Sequence, residues 1–365
     1  MAGGAGGEAL TEIAGQNVVL TYTNVATEYE AIRRRAIVVN RSHRGRMRFV
    51  GEKAADVLNG LLTNDVATLT PGQGLYAAAL TPKGKVAADL RVLHTGDGFL
   101  TDASSRAADA WQAIVKKYVN PRLAKYTNES ATLNVMGVYG VQARYVIEEM
   151  TGIGHSALAL LQPFNHASIG TPEGTVIVMR SPELEVEGFD VFVPSARYQQ
   201  AWDAALKAHA TPAGLKAWDI ARVEAGRPEY GLDMNDSTIP QEANLEELGA
   251  ISYTKGCYTG QEVVARVHFR GHVNRQLRGL RATGTNQLPL GASLFDSSGK
   301  SVGDVRTSVT SPRLGTIALG MIRREVEDGA ALKARWSEDS GGDAGAGEAQ
   351  VDVVALPFPA EVAKA

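Results

Sequence analysis

Cysteine is nearly absent: Cys257 is the only one in 365 residues. A single thiol excludes an internal disulfide framework and any multi-cysteine zinc or iron–sulfur site built within one chain. It fits a reducing compartment. An excess of one charge sign is lacking too, since 37 Lys and Arg face 40 Asp and Glu for a net charge of −3. A nucleic-acid partner normally demands a strong basic excess, so none is expected. No apolar run approaches the roughly 18 residues that a membrane-spanning helix needs. The opening "MAGGAGGEAL" has neither the basic start nor the apolar core of a signal peptide and reads as a Gly-rich tail. The expectation is a cytoplasmic protein with no membrane partner.

What is present is enough apolar sequence, 44%, for more than one core. "NVVLTY" (17–22) reads as extended, and "EYEAIRRRAIVVNRS" (28–42) as a helix running toward an apolar strand. "RMRFVG" (46–51) alternates like a half-buried strand, and "KAADVLNGLL" (53–62) is a short helix. A strand meander follows over 73–104, with turns at Pro82-Lys83-Gly84 and His94–Gly98, then a helix over about 105–119 that stops before Pro121. "LNVMGVYG", "TVIVMR" and "GFDVFVP" read as strands, and 196–209 and 215–225 as helices, the second closed by Gly226 and Pro228. From about 273, short strand-like pieces with Gly and Ser turns predict a small antiparallel barrel or sandwich. The small, acidic stretch 337–350 reads as a flexible loop between the last two strands.

The stretch "KGCYTGQE" (255–262) holds the lone cysteine. Thr259 and Glu262 stand in the T-x-x-E relation of a capping box, which predicts a helix from Gly260 with Val263, Val264 and Val267 on one face. Cys257 would lie just outside that helix N-terminus, where the macrodipole and nearby Lys255 favour a thiolate. A lone cysteine is more often an inert buried thiol. The following "ARVHFRGHVNRQLRG" (265–279) gathers Arg266, His268, Arg270, His272, Arg275 and Arg278. It reads either as an electropositive surface for polyglutamate, phosphate or an acidic partner, or as a solvated helix face followed by an edge strand. Two histidines four apart suggest a metal pair, but no third ligand is near and Arg270 would oppose a cation, so no metal is expected.

"KGCYTGQE" resembles the signature of the YgfZ-type folate-binding proteins, relatives of the glycine cleavage T-protein (aminomethyltransferase) that support iron–sulfur cluster assembly or repair. "LLTNDVATLTPGQGLYAAALTPKGKVAADLRV" (61–92), "DIARVEAGRPEYG" (219–231) and "SPRLGTIALG" (311–320) resemble further segments of that superfamily. The resemblance covers nearly the whole chain outside the two Gly-rich stretches. It implies an α+β, three-domain, ring-like protein. Residues 1–45 with 136–265 would form a first α/β domain, 46–135 an inserted second one, and 272–365 a C-terminal antiparallel β-barrel.

The cofactor so implied is tetrahydrofolate or a one-carbon derivative. Glu224 is the candidate for the pterin, because a carboxylate accepts two parallel hydrogen bonds from a ring N–H and an exocyclic amine. A solvated helix-end carboxylate is the plainer account of the same residue. Tyr76 is a candidate aromatic wall, Arg227 and Lys255 candidates for the glutamate tail, and Asp102 stands where the T-protein has an asparagine. T-proteins carry two adjacent acids where this chain has Ala88-Asp89. Only Asp89 remains for general acid–base work, and if the first acid of the pair is the working one, its loss argues against ordinary T-protein catalysis.

The resemblance implies a folate-binding factor for iron–sulfur proteins, with Cys257, Lys255 and Asp89 as its chemical residues and assembly proteins or client enzymes as partners. The alternative is a folate-dependent aminomethyltransferase or demethylase. A third reading is an interaction protein that kept the fold and lost the ligand.

Overall fold

The computed structural model describes residues 9–284, 288–337 and 345–359. It divides into two compact units, Met1–Pro82, Ala87–Trp218 and Gly249–Gln261 in the first and Lys83–Val86, Asp219–Leu248 and Glu262–Ala365 in the second.

The first unit opens with the hairpin β1 (Ala9–Ile13) and β2 (Gln16–Thr21), followed by α1 (Val25–Arg34). Asn24 caps α1 by accepting from the Thr27 amide. Buried Glu28 in its first turn accepts from the amides of Tyr22, Thr23 and Gly214, so one carboxylate ties three loop amides together. Next come β3 (Ile37–Asn40), β4 (Gly45–Val50), α2 (Ala54–Leu61), β5 (Gly74–Leu80), β6 (Val86–His94), β7 (Phe99–Ala103), α3 (Ala108–Tyr118) and β8 (Lys125–Asn128). Then follow β9 (Leu133–Tyr139), α4 (Ala143–Thr151), α5 (His155–Leu160), β10 (His166–Thr171), β11 (Gly174–Arg180), β12 (Gly188–Pro194), α6 (Tyr198–Lys207) and β13 (Thr211–Pro212).

These strands form a five-stranded sheet in the order β5-β6-β7-β4-β8 and a six-stranded sheet in the order β10-β11-β12-β9-β3-β13. All pairings in the larger sheet are antiparallel except β13 with β3. Val138, Val178 and Val191 pack under α4, α5 and α6. On the opposite face, Val135, Ile177, Met179 and Phe192 meet Leu93 and Leu100 of the five-stranded sheet. Burial on both faces explains why "VIVM" and "VFV" are continuous apolar runs instead of alternating ones.

α7 (Leu215–Glu224) leads into the second unit, which continues with α8 (Gln261–Arg270). Its strands are β14 (Arg275–Ala282), β15 (Ser293–Phe295), β16 (Ser301–Ser311), β17 (Gly315–Arg323), β18 (Ala331–Trp336) and β19 (Gly347–Val354). They close as an antiparallel barrel, β14-β17-β16-β15-β18-β19. Leu280, Leu294, Val305, Ala318 and Val353 fill its interior. Its outer face carries Leu277, Leu319 and Met321, which pack with Val223 of α7 and with Phe358. A bulge between Val305 and Thr307 bends β16 as closure requires.

The mixed α/β content and the C-terminal barrel are as the sequence indicates. Two details differ. β14 pairs on both sides, with β17 and β19, so the basic stretch runs into a closed barrel and not an edge strand. The loop expected over 337–350 falls between the last two strands, but residues 347–350 already belong to β19, paired with β18. The alternation in "EAQVDVV" places Val351 and Val353 inside the barrel and carries the strand through its small acidic start. Residues 338–344 of that loop and the tail 1–8 lie outside the described residues. Among the described residues, no helix is long and apolar enough to cross a membrane.

Candidate functional site

Asp89 sits at the middle of β6 and is 6% exposed. Tyr76, from β5, donates its hydroxyl to Asp89 Oδ2 at 3.0 Å, and Ser104 donates to Oδ1 at 2.8 Å. Burial pushes the Asp89 carboxyl above the ordinary aspartate value, Arg44 and the two hydroxyl bonds pull against it, and Glu183 adds to the rise. A carboxyl that holds its proton more tightly than usual, fixed by two hydroxyls, suits acid–base work on a bound nitrogen.

Tyr76 also stacks on Phe164, with ring centroids 5.9 Å apart and an interplanar angle of 16°. Phe164 holds a left-handed backbone, φ +65°, which is uncommon for an aromatic residue. Gly74 permits the close approach, because a Cβ there would stand 2.4 Å from the Phe164 carbonyl oxygen. Asp89 therefore lies beside a flat aromatic pair whose placement rests on local strain.

Behind Asp89 the first unit buries an array of arginines and carboxylates. Register places Arg91 of β6 opposite Asp102 of β7. Arg91 donates to Asp102, Asp190 and Glu183. Arg44 donates to Asp102 at 2.6 Å. Arg41 donates to Glu183 and to Tyr139 and lies 4.2 Å over the Trp218 ring, and the Tyr139 hydroxyl donates to Asp190 at 2.6 Å. Burial alone would raise Asp102, but Arg44, Arg91 and Arg46 overcome it and hold the carboxyl below its usual range. Asp102, nominated from the sequence as a cofactor contact, is placed at the centre of these ion pairs.

The "KGCYTGQE" loop is fastened to the segment that follows α2. Thr63 donates its hydroxyl to the Ala250 carbonyl, the Ser252 amide donates to the Thr63 carbonyl, and the Thr259 amide to Gly60. Lys255 is buried and donates its ammonium to the carbonyls of Asn59 and Leu62, the open C-terminal end of α2. It also lies 4.8 Å over the Tyr258 ring. Burial pushes Lys255 down to about 8, against Asp65. Lysine and tyrosine thus face inward, whereas Cys257 between them is exposed. α8 begins at Gln261; Val264 is buried and Val263 and Val267 are half-buried.

In the second unit Glu224 closes α7. Its carboxylate accepts from Ser311, the last residue of β16, and at 3.0 Å from Arg313 in the turn that follows. That contact joins "RVEAG" to "SPRLG": one supplies the acid, the other its donors. The Arg227 carbonyl accepts from Arg222, which is buried against Asp219 and Asp233. Several of the cations after Cys257 are matched by acids, Arg275 by Glu242, Arg278 by Asp328 and His268 by Glu246. Glu224→Ala strands a hydroxyl and a guanidinium. It is expected to cost about 2–3 kcal/mol in urea unfolding at unchanged m-value; a loss below about 0.5 kcal/mol would show that the pair contributes nothing net.

Residues 5–252 match the GCVT N-terminal domain family. The chain belongs to that family. It is 29% identical over 308 residues to an aminomethyltransferase of Thermosynechococcus vestitus, covering 83% of this chain and 81% of the relative. It is 30% identical over 263 residues to one from Burkholderia multivorans, 70% of each chain. The fold superposes on the glycine cleavage system aminomethyltransferase T from Bartonella henselae with a TM-score of 0.82 at 22% identity, over 97% of this chain and 94% of that one. Within this GCVT-family fold, Tyr76 and Asp89 are brought together, while Lys255 and Asp102 are engaged by neighbours of their own. Sequence reading missed Ser104, Phe164, Arg44, Arg91 and Glu183. Arg91 inside the apolar "DLRVL" was the available signal, since an arginine at a buried strand position demands an acid opposite.

Proposed function

We propose that the chain binds a tetrahydrofolate and handles the one-carbon unit it carries, as a folate-dependent protein of aminomethyltransferase type. The observation that carries this reading is the Asp89 carboxyl, buried, raised, and fixed by Tyr76 and Ser104 beside the Tyr76–Phe164 stack. The donor set fits the group: a pterin is flat and favours an aromatic neighbour, and a folate nitrogen needs a proton partner within hydrogen-bond reach. The bound folate would supply the nitrogen that carries the one-carbon unit. In this chain Asp89 would hold or accept the proton, and Tyr76 would orient Asp89 and face the ring. Lys255 and Asp102 serve chiefly to hold the loop and the ion pairs in place. The names of the 24–30% identical relatives support the transfer reading. Titration with 5-formyltetrahydrofolate should give saturable micromolar binding, and no binding at millimolar ligand would favour an interaction protein instead. Methylenetetrahydrofolate formation from an aminomethyl-lipoyl donor then tests for turnover.

A second reading, a YgfZ-type folate-binding factor that supports iron–sulfur proteins, is favoured by the exposed Cys257 in "KGCYTGQE" and by the single acid of Ala88-Asp89. Here the thiol works at the surface while the folate site stays intact. Cys257→Ala is expected to abolish support of cluster enzymes in cells and to leave folate affinity within about twofold. Full cluster-enzyme activity in cells carrying the substitution would remove the thiol from the mechanism.

A further inference from the structure

The first unit contains a cavity of about 160 Å³ beside β4 and the start of α3, with Arg44, Arg46, His43, Ser105 and Gln112 among its lining. Arg46 is 0% exposed, yet its guanidinium donates only to carbonyls: those of Arg44, Ser42 at 3.0 Å and Ser130 at 2.6 Å. Its Nε has no hydrogen-bond partner, and no carboxylate among the described residues lies within ion-pair distance of it. Its neighbours do not supply the missing charge, because Arg44 and Arg91 already share Asp102. Asp102 acts on Arg46 only from beyond ion-pair distance, and burial together with Arg44 and Arg91 holds the guanidinium down to about 10, so a further counter-charge is favoured.

The end of α3 offers the complementary feature. No side chain caps that helix, and Ser104, which precedes the short turn Ser105–Ala107 leading into it, gives its hydroxyl to Asp89 instead. The Ala108 amide donates to the Ser105 carbonyl, so the positive end of the α3 dipole, and not a free Ala108 amide, favours an anion here. His43 is held neutral, at about 3, by burial and then by Arg41 and Arg44, so its ring offers an N–H donor or an acceptor, without a charge. Asp109 also lines the cavity and opposes an anion.

We propose that this cavity binds a small oxyanion of phosphate type between Arg46 and the first turn of α3. At roughly 30 Å³ per water, the space equals about five waters. It accepts a phosphate or sulfate ion and is too small for a nucleotide. An anion there neutralises Arg46 and joins β4 to α3, so its first effect is on the stability of the five-stranded sheet.

The test is thermal unfolding of the full chain in inorganic phosphate against chloride of equal ionic strength. At tenfold excess over Kd, phosphate should raise Tm by about 3 °C. Gln112→Glu, a half-buried position that adds a carboxylate to the lining, should weaken binding at least tenfold. Asp109→Asn, at an exposed position, should tighten it about threefold. No shift beyond chloride, or a shift that both variants leave unchanged, overturns the site.

Discussion

Asp89→Asn is expected to lose folate-dependent transfer by about 10²–10⁴-fold while unfolding at a higher temperature than the parent chain at neutral pH. The two effects have one cause. Burial raises the Asp89 carboxyl above the value it has in the unfolded chain. Its protonation therefore contributes stability that is fully present below the ordinary aspartate value and is lost as pH rises through the raised one. Above that window the folded chain carries the cost of a buried charge, and an amide of the same shape does not. The stability advantage of Asp89→Asn should then grow across that window and vanish in acid. Both hydroxyls now donate to Asp89, and one can turn to accept from the new amide. Tm measured against pH, paired with the transfer assay, checks this. Equal transfer rates would take Asp89 out of the chemistry, and a lower Tm throughout would make it a structural anchor.

Much of the scaffold was legible because its signals are local. The end of α7 at Glu224, two residues before Gly226, and the strands of "TVIVMR" and "GFDVFVP" follow from capping and apolar runs. The site was legible only as single residues. Tyr76 reads as an aromatic wall, yet the contact that organises Asp89 is its hydroxyl. Lys255 reads as an activator of Cys257 two positions away, yet its ammonium closes the end of α2, nearly two hundred residues distant. Asp102 reads as a ligand through its motif position, yet the pairing of β6 with β7 gives it to Arg91. In each case strand register and loop docking decide the partner, and neither is written in the spacing of one segment.

The largest stability loss is expected from Arg91→Leu, about 3–5 kcal/mol. Leucine fits an apolar strand interior, so the cost comes from what is left behind. Arg91 is the one guanidinium that donates to Asp102, Asp190 and Glu183 together. Without it Asp102 keeps Arg44, and Asp190 keeps Tyr139 and a longer contact to Arg41 at 3.6 Å. Burial then acts on three carboxylates with less opposition. At about 2–4 °C per kcal/mol for a unit of this size, Tm falls by roughly 10 °C. The pH dependence separates this account from simple misfit of the new side chain. Asp102 is held below its usual range in the folded chain, and that stability is present above the ordinary value and lost as pH falls through the depressed one. Removing Arg91 moves the folded value upward, so acid unfolding begins at higher pH than in the parent. Asp102→Asn added to Arg91→Leu should recover part of the loss, because it removes the carboxylate that accepts from two Arg91 nitrogens. A double variant no more stable than the single one, with an unchanged acid midpoint, would assign the loss to packing around residue 91 and not to the stranded charges.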